Sequence, residues 1–386
     1  MPNLLLLALL ATFPALSTDM YLPAIPELQA IWGIPLSLAN LSLVSFFVSF
    51  SFFLLIHGPL SDRFGRRPVL IGGILLFITG SLLCAAATGI VWLIIARAVQ
   101  GAGAAAASSL SLALSKDLYQ GQERQRILAY IAVILSLCPM LAPSLGGWVL
   151  LVASWRWIFI CQALLALAGL YGSYLLKEPL QERTQGGIRS VAGRYLVLFR
   201  NRRFMIVALA FSIMSIPHFA YIGGSPDMLI SGFGMSEQAY GVYFGLNAVG
   251  LMLGAMLCSR LAAARHGLRT LVVALAGLFC AGAALCLTNG ASPLGLVLPM
   301  FAATFCLGLS RPISNHLILE QVDSDFGAAS SILTFTIFTL GGTGMWLISL
   351  DWWSKPGLLA RLLLGCSLFP LLTLRLLKRP GQQSEG

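Results

Sequence analysis

Hydrophobic positions along this chain recur neither at a helical nor at a strand period. They run together in long blocks, separated by short clusters of charge, proline and glycine. A helix needs about 20 apolar residues to cross a bilayer. Blocks of that length fall at approximately 4–25, 37–57, 69–88, 90–114, 127–152, 156–176, 204–224, 239–260, 270–288, 293–315, 327–350 and 357–377. Barrel strands would be half as long and would alternate apolar with polar. The pattern therefore predicts an all-α polytopic membrane protein with 12 transmembrane helices.

Composition strengthens that reading: 58% of the 386 residues are apolar and 10% charged, against roughly 25% charged in soluble domains. Mean hydropathy is +0.87, which excludes a water-soluble fold. The net charge of +10 comes from 24 Lys and Arg against 14 Asp and Glu. No basic stripe is interleaved with aromatics, so nucleic acid is not an expected partner. The basic residues instead sort by side. With the N-terminus inside, only Arg156 and Lys355 fall in outer loops, and only Arg97 and Arg361 inside helices; Arg311 counts with the inner loops. Both termini are expected to be cytoplasmic. The opening block lacks a basic start and a cleavage site before Asp19, so it reads as the first helix.

The longest polar stretch, Lys177 to Arg203, divides the blocks six and six. It predicts an N-terminal six-helix bundle over 1–176, a cytoplasmic linker over 177–203 and a C-terminal six-helix bundle over 204–386. Two pseudo-repeat halves suit a transporter whose substrate site lies between them. The segment G58-PLSDRFGRR-P68 has a weaker echo in S259-RLAAARHGLR-T270, where the Asp is missing. Cys84, Cys138, Cys161, Cys258, Cys280, Cys286, Cys306 and Cys366 lie in apolar blocks without a CxxC pair, and read as free thiols. No metal or cofactor is expected. The four histidines are scattered, with no set suited to nucleophilic or metal catalysis, so the chain is not expected to be an enzyme.

Three segments carry chemistry. Gly58, Asp62, Arg63, Gly65, Arg66 and Arg67 lie between the second and third blocks. Gly58 and Gly65 would let the chain turn tightly, and Asp62 would accept from arginine, latching the two halves on the inside. In the fourth block, L93-IIARAVQGAGA-A105 places Arg97 where a cation costs at least about 2.5–3.5 kcal/mol. It must face a cavity or a partner, or snorkel outward. Asp19 in the first block lies at matched depth, roughly 10 Å from the outer surface, so the two could pair. In the fifth block, Pro143 with Gly146 and Gly147 predicts a bend and a close contact surface.

The loop segment resembles the signature of the major facilitator superfamily, and L93 to A105 resembles its second motif. The string T18-DMYLPAI-P26 is similar to the first helix of Bcr/CflA-type (bicyclomycin/chloramphenicol resistance) drug:proton antiporters. C138-PMLAPSLGG-W148 resembles the antiporter motif, with Ala142 and Cys138 where that motif has glycines. The resemblance implies the major facilitator fold and proton-coupled efflux of small drug-like compounds across a bacterial inner membrane, by a monomer working on a small-molecule substrate and protons in the lipid bilayer. It implies that Asp19 carries the proton with Arg97 as its partner. Met20, Tyr21 and Gln100 are expected at the substrate cavity, and Asn247 in the eighth block either faces that cavity or bonds a neighbouring helix. Export of a metabolite such as a sugar, nucleoside or amino acid is the alternative. Asp227 reads as a solvated loop acid, His218 as a packed histidine, and Asp323 and Asp325 as caps of the eleventh helix.

Overall fold

A computed structural model describes residues 2–180, 188–262, 267–322 and 325–376. Among them all regular structure is helical, and 12 segments are long and apolar enough to span a membrane. The first span comprises α1 (Pro2–Asp19) and α2 (Ile25–Trp32). The next five are α3 (Leu36–Phe64), α4 (Arg66–Ala85), α5 (Ile90–Leu118), α6 (Gly121–Val152) and α7 (Arg156–Leu175). After a basic connecting helix, α8 (Ile188–Arg200), the seventh span joins α9 (Arg202–Ser212) to α10 (Ser215–Pro226) and a π turn at Asp227–Gly232. The rest are α11 (Glu237–Ala262), α12 (Gly267–Thr288), α13 (Pro293–Leu319), α14 (Phe326–Ile348) and α15 (Lys355–Leu376). The middle of the Lys177–Arg203 stretch, part of the S259–T270 echo, and Asp323 lie outside the described residues.

Within the first six spans α5 packs on α3, α4 and α1; within the last six α13 packs on α11 and α12. The halves meet along α6 with α11 and α3 with α14. These are spans five with eight and two with eleven, which exchange under a repeat of six, as a two-fold-related pair of halves requires. Aromatic rings fill the second seam: Phe47 lies 5.1 Å from Phe219 and 5.3 Å from Phe338, centroid to centroid. All eight cysteines are free.

Several boundaries differ from the hydropathy pattern, each for a local reason. The first span runs on to Trp32 but breaks after Asp19, because Pro23 and Pro26 have no N–H for the carbonyls four residues back. α3 does not end at the glycine-rich segment. It continues through Pro59 to Phe64, so Gly58 is helical, and only Gly65, at φ +106°, makes the turn. Asp227 is no loop acid: it sits in the π turn and accepts from Lys355 Nζ at 2.5 Å. Asp325 does not cap α14 with its side chain, but adopts φ +57° and lies 3.6 Å from Arg194. Arg311 belongs inside α13, eight residues before its end, not to a loop.

Candidate functional site

The break after Asp19 organises the site. Tyr21 N–H bonds Thr18 O, so the Ser17 carbonyl lacks its usual helical donor. Arg97 supplies one. Its Nη1 donates to Ser17 O at 3.0 Å and to Gln100 Oε1 at 2.6 Å, and the guanidinium lies 4.4 Å from the Phe46 ring centre and 5.1 Å from that of Tyr21. Desolvated cation–π contacts of this kind contribute about 2 kcal/mol. Gln100 Nε2 in turn donates to Ser81 Oγ and Gln162 Oε1, both at 2.8 Å, and Gln162 Nε2 donates to Leu16 O at 3.2 Å. Arg97 is thus fully buried and faces the carbonyl end of α1, where a cation is favoured.

Asp19 is 6% exposed and its Oδ1 accepts from Thr18 Oγ1 at 3.1 Å. The expected Asp19–Arg97 ion pair is not formed, because the break after Asp19 frees the Ser17 carbonyl that Arg97 takes. Among the described residues Asp19 has no cationic partner. The next residue, Met20, lies with its carbonyl against Gly146 on α6, and the turn Leu22–Ala24 packs on both α6 and α11, so the acid is near the seam between halves.

The antiporter-motif helix touches this break. α6 stays helical through Pro139 and Pro143, and Gly146 presses against the Met20 carbonyl so closely that no Cβ fits. A Cβ on Gly147 would stand 2.7 Å from Glu237 O, and Gln238 Nε2 donates to Gly147 O at 2.8 Å across the seam. Asn40 makes a second crossing, donating to Gly223 O at 2.8 Å and Ser349 Oγ at 2.7 Å. Both crossings lie toward the face opposite the basic one, where the halves close on each other. At the basic end Tyr130 on α6 and Met256 on α11 are exposed.

The loop segment builds a cluster on the basic face. Arg66 donates to Asp62, to Ser61 and, at 2.8 Å, to Asp117; Glu178 accepts from the Arg66 and Arg67 backbone N–H groups at 2.9 and 3.0 Å; Arg67 bonds Tyr174 O, and Arg63 stacks on Phe64. All these partners belong to the first half. The cluster ties the ends of α3, α4 and α5 to the segment after α7, and does not latch one half to the other in this conformation.

The expected cavity lining also needs correction. Met20, Tyr21, Gln100 and Asn247 are buried at 4%, 0%, 0% and 3% exposure. Tyr21 OH bonds Ser42 Oγ at 2.9 Å, Gln100 belongs to the Arg97 network, and Asn247 donates to Tyr221 OH at 2.9 Å. They hold helices together here. Sequence reasoning missed Asn40, Ser81, Gln162 and Gln238. Asn40 and Gln162 could have been flagged as amides inside apolar blocks, which need interhelical partners.

Residues 7–345 match the family described as Major Facilitator Superfamily. The chain belongs to the major facilitator superfamily. It is 32% identical over 343 residues to the uncharacterized MFS-type transporter YdgK of Bacillus subtilis, covering 87% of this chain and 85% of that one. It is 26% identical to multidrug resistance protein MdtL of Citrobacter koseri, over 95% of this chain and 93% of the relative. It is also 26% identical to the bicyclomycin resistance protein homolog of Haemophilus influenzae, over 88% and 86%. The xylose transporter XylE of E. coli in a partially occluded inward-open conformation shares the fold, with a TM-score of 0.76 at 15% identity over 98% of this chain and 97% of that one. The superfamily membership makes this multi-pass membrane protein a transporter of small molecules.

Proposed function

We propose that this transporter exports small amphipathic drug-like compounds across the bacterial inner membrane in exchange for protons, as a monomer. The basic face and both termini are cytoplasmic in this reading, and bundles 1–176 and 204–386, joined by 177–203, alternate access between them. The observation that carries it is Asp19, a buried acid without a cation, beside a helix break that α6 and α11 both approach. The resistance named for two relatives supports drug compounds as the cargo.

Closure of the outer face by Asn40 and Gln238 leaves the cavity facing the cytoplasm, where substrate enters. Turnover breaks these crossings, while the Asp62–Arg66–Asp117–Glu178 cluster keeps the inner rim of the first half rigid, so that the half tilts as a body. Proton loading on Asp19 neutralises a charge buried at the α6 contact and alters the balance between the two states. One such acid suggests about one proton per cycle, aided by roughly 2.3 kcal/mol per charge per 100 mV.

Asp19→Asn keeps the shape but cannot exchange a proton. In vesicles with an imposed pH gradient it should fold and fail to drive uphill export; undiminished uphill transport would sink the assignment. A susceptibility panel in a pump-deficient bacterial host expressing the wild-type chain tests the cargo, and a flat panel would favour a metabolite exporter.

A further inference from the structure

Arg311 lines a narrow pocket between α9, α13 and α14. It is partly buried about 12 Å from the basic-side end of α13. Among the described residues its guanidinium has no ion pair and no hydrogen-bond acceptor. Asn315, one turn on along the same helix face, also has an uncommitted amide, and the Ser212 hydroxyl opposite is buried at 3% exposure without a partner. Ser215 and Ser314 add further hydroxyls, and no Asp or Glu lines the space.

Of these three groups the Ser212 hydroxyl is buried and unsatisfied, which forfeits about 1–3 kcal/mol unless something binds it, and the Arg311 guanidinium and the Asn315 amide line the same pocket without an acceptor. Arginine's planar fork matches a carboxylate or phosphate, and an amide with a hydroxyl completes an oxyanion's shell. A second narrow pocket shares Met214 and Leu307 with the first, and is walled mainly by apolar side chains such as Leu278, Met300 and Leu363 around His218. One end is cationic and hydrogen-bonding, the other apolar.

We propose that Arg311, Asn315 and Ser212 form a substrate subsite for an oxyanion, so that the transporter accepts amphipathic compounds carrying a carboxylate or phosphate, the adjoining apolar pocket opening around the apolar body. As a statement about exported substrates it rests on the function proposed above; as a binding site it does not. A matched probe pair is rhodamine 110, with a free carboxylate, and rhodamine 123, its methyl ester.

Purified full-length protein should bind rhodamine 110 at least tenfold more weakly as Arg311→Gln and as Asn315→Ala, with rhodamine 123 changed by less than about twofold, and Arg311→Lys should recover part of the loss. Because the arginine has no partner to abandon, Arg311→Gln should melt no lower than wild type. Equal rhodamine 110 binding by wild type and Arg311→Gln, including none by either, overturns the site, as does an equal loss of both dyes or a fall in melting temperature that Lys does not restore. Arg311-dependent binding without uphill transport would leave the site standing and remove the export reading.

Discussion

Two arginines lie in the fourth and tenth spans, equivalent helices of the two halves, but at opposite depths, Arg97 seven residues after the start of α5 and Arg311 eight before the end of α13, and their surroundings are opposite too. Arg97 is fully enclosed by a carbonyl, an amide and aromatic rings: its Nη1 bonds Ser17 O and Gln100 Oε1, while its Nε and Nη2 are buried without an acceptor. Arg311 has a narrow pocket and no acceptor. The first half thus uses its intramembrane cation to hold a broken helix in place, whereas the second leaves its cation free to meet something from outside the chain. Division of labour between the halves follows: the N-terminal half supplies the acid and a rigid frame, and the C-terminal half supplies adaptable binding space.

The largest effect should come from attacking the frame. Arg97→Leu leaves Ser17 O and Gln100 Oε1 unpaired in a dry interior, at a cost of about 2–5 kcal/mol. Thermal unfolding of the purified protein should fall by several degrees, and transport should be lost with it. An Arg97→Leu protein as stable as wild type would place the two arginines in the same class and break the contrast.

Next comes the contact between frame and seam. Gly146→Ala drives a Cβ into the Met20 carbonyl, backbone against backbone, where neither side can yield cheaply. Overpacking of this kind costs about 1–3 kcal/mol. Export should fall by tenfold or more as α6 is pushed off the Asp19 break, measured as drug uptake into inside-out vesicles. Normal export would show that the break tolerates movement of α6, and that the first half is less rigid than its hydrogen bonds imply.

How much of this could be read from residues alone depends on the range of the interaction. The spans, the six-plus-six division and the sorting of basic residues follow from burial in lipid, a local and additive property. The loop motif pointed correctly to a cluster around Asp62 and Arg66, because its partners lie within the same short segment or at neighbouring span ends. Depth counting brought Asp19 and Arg97 to the same level but could not show their pairing. Pro23 was in plain view, yet its consequence, a freed Ser17 carbonyl that outcompetes the carboxylate, depends on where the chain goes after the break. Arg311 falls near the end of the tenth apolar block, where sequence does not separate helix from loop, and only the packing of α9 and α14 reveals that no acceptor meets it.

A smaller effect is expected at the seam. Asn40→Ala removes two hydrogen bonds that join the halves, worth about 1–3 kcal/mol together, and they exist only while the outer face is closed. The fold should survive, since each half keeps its own packing, but the population should move toward the outward-open state. Cysteine labelling from the outside should rise several-fold at positions along α3 and α14, and fall on the basic face. Unchanged labelling would leave Gln238 and the aromatic seam as the outer closure.

The smallest stability effect separates motif from structure within the first half itself. Gly58 belongs to the loop signature as much as Gly65 does, yet Gly65 has φ +106° and lies against Glu178, whereas Gly58 is helical with open space where a Cβ would be. Alanine is a better helix residue than glycine by about 0.5–1 kcal/mol, so Gly58→Ala should unfold slightly higher than wild type, and Gly65→Ala lower. If the small residue has work to do, it is in the other conformation, when the basic ends of the halves close and α3 meets the second half. Gly58→Ala should therefore slow export while raising the melting temperature. A variant that is both more stable and fully active would make Gly58 a plain helical position and confine the inner rim to Asp62, Arg66, Asp117 and Glu178.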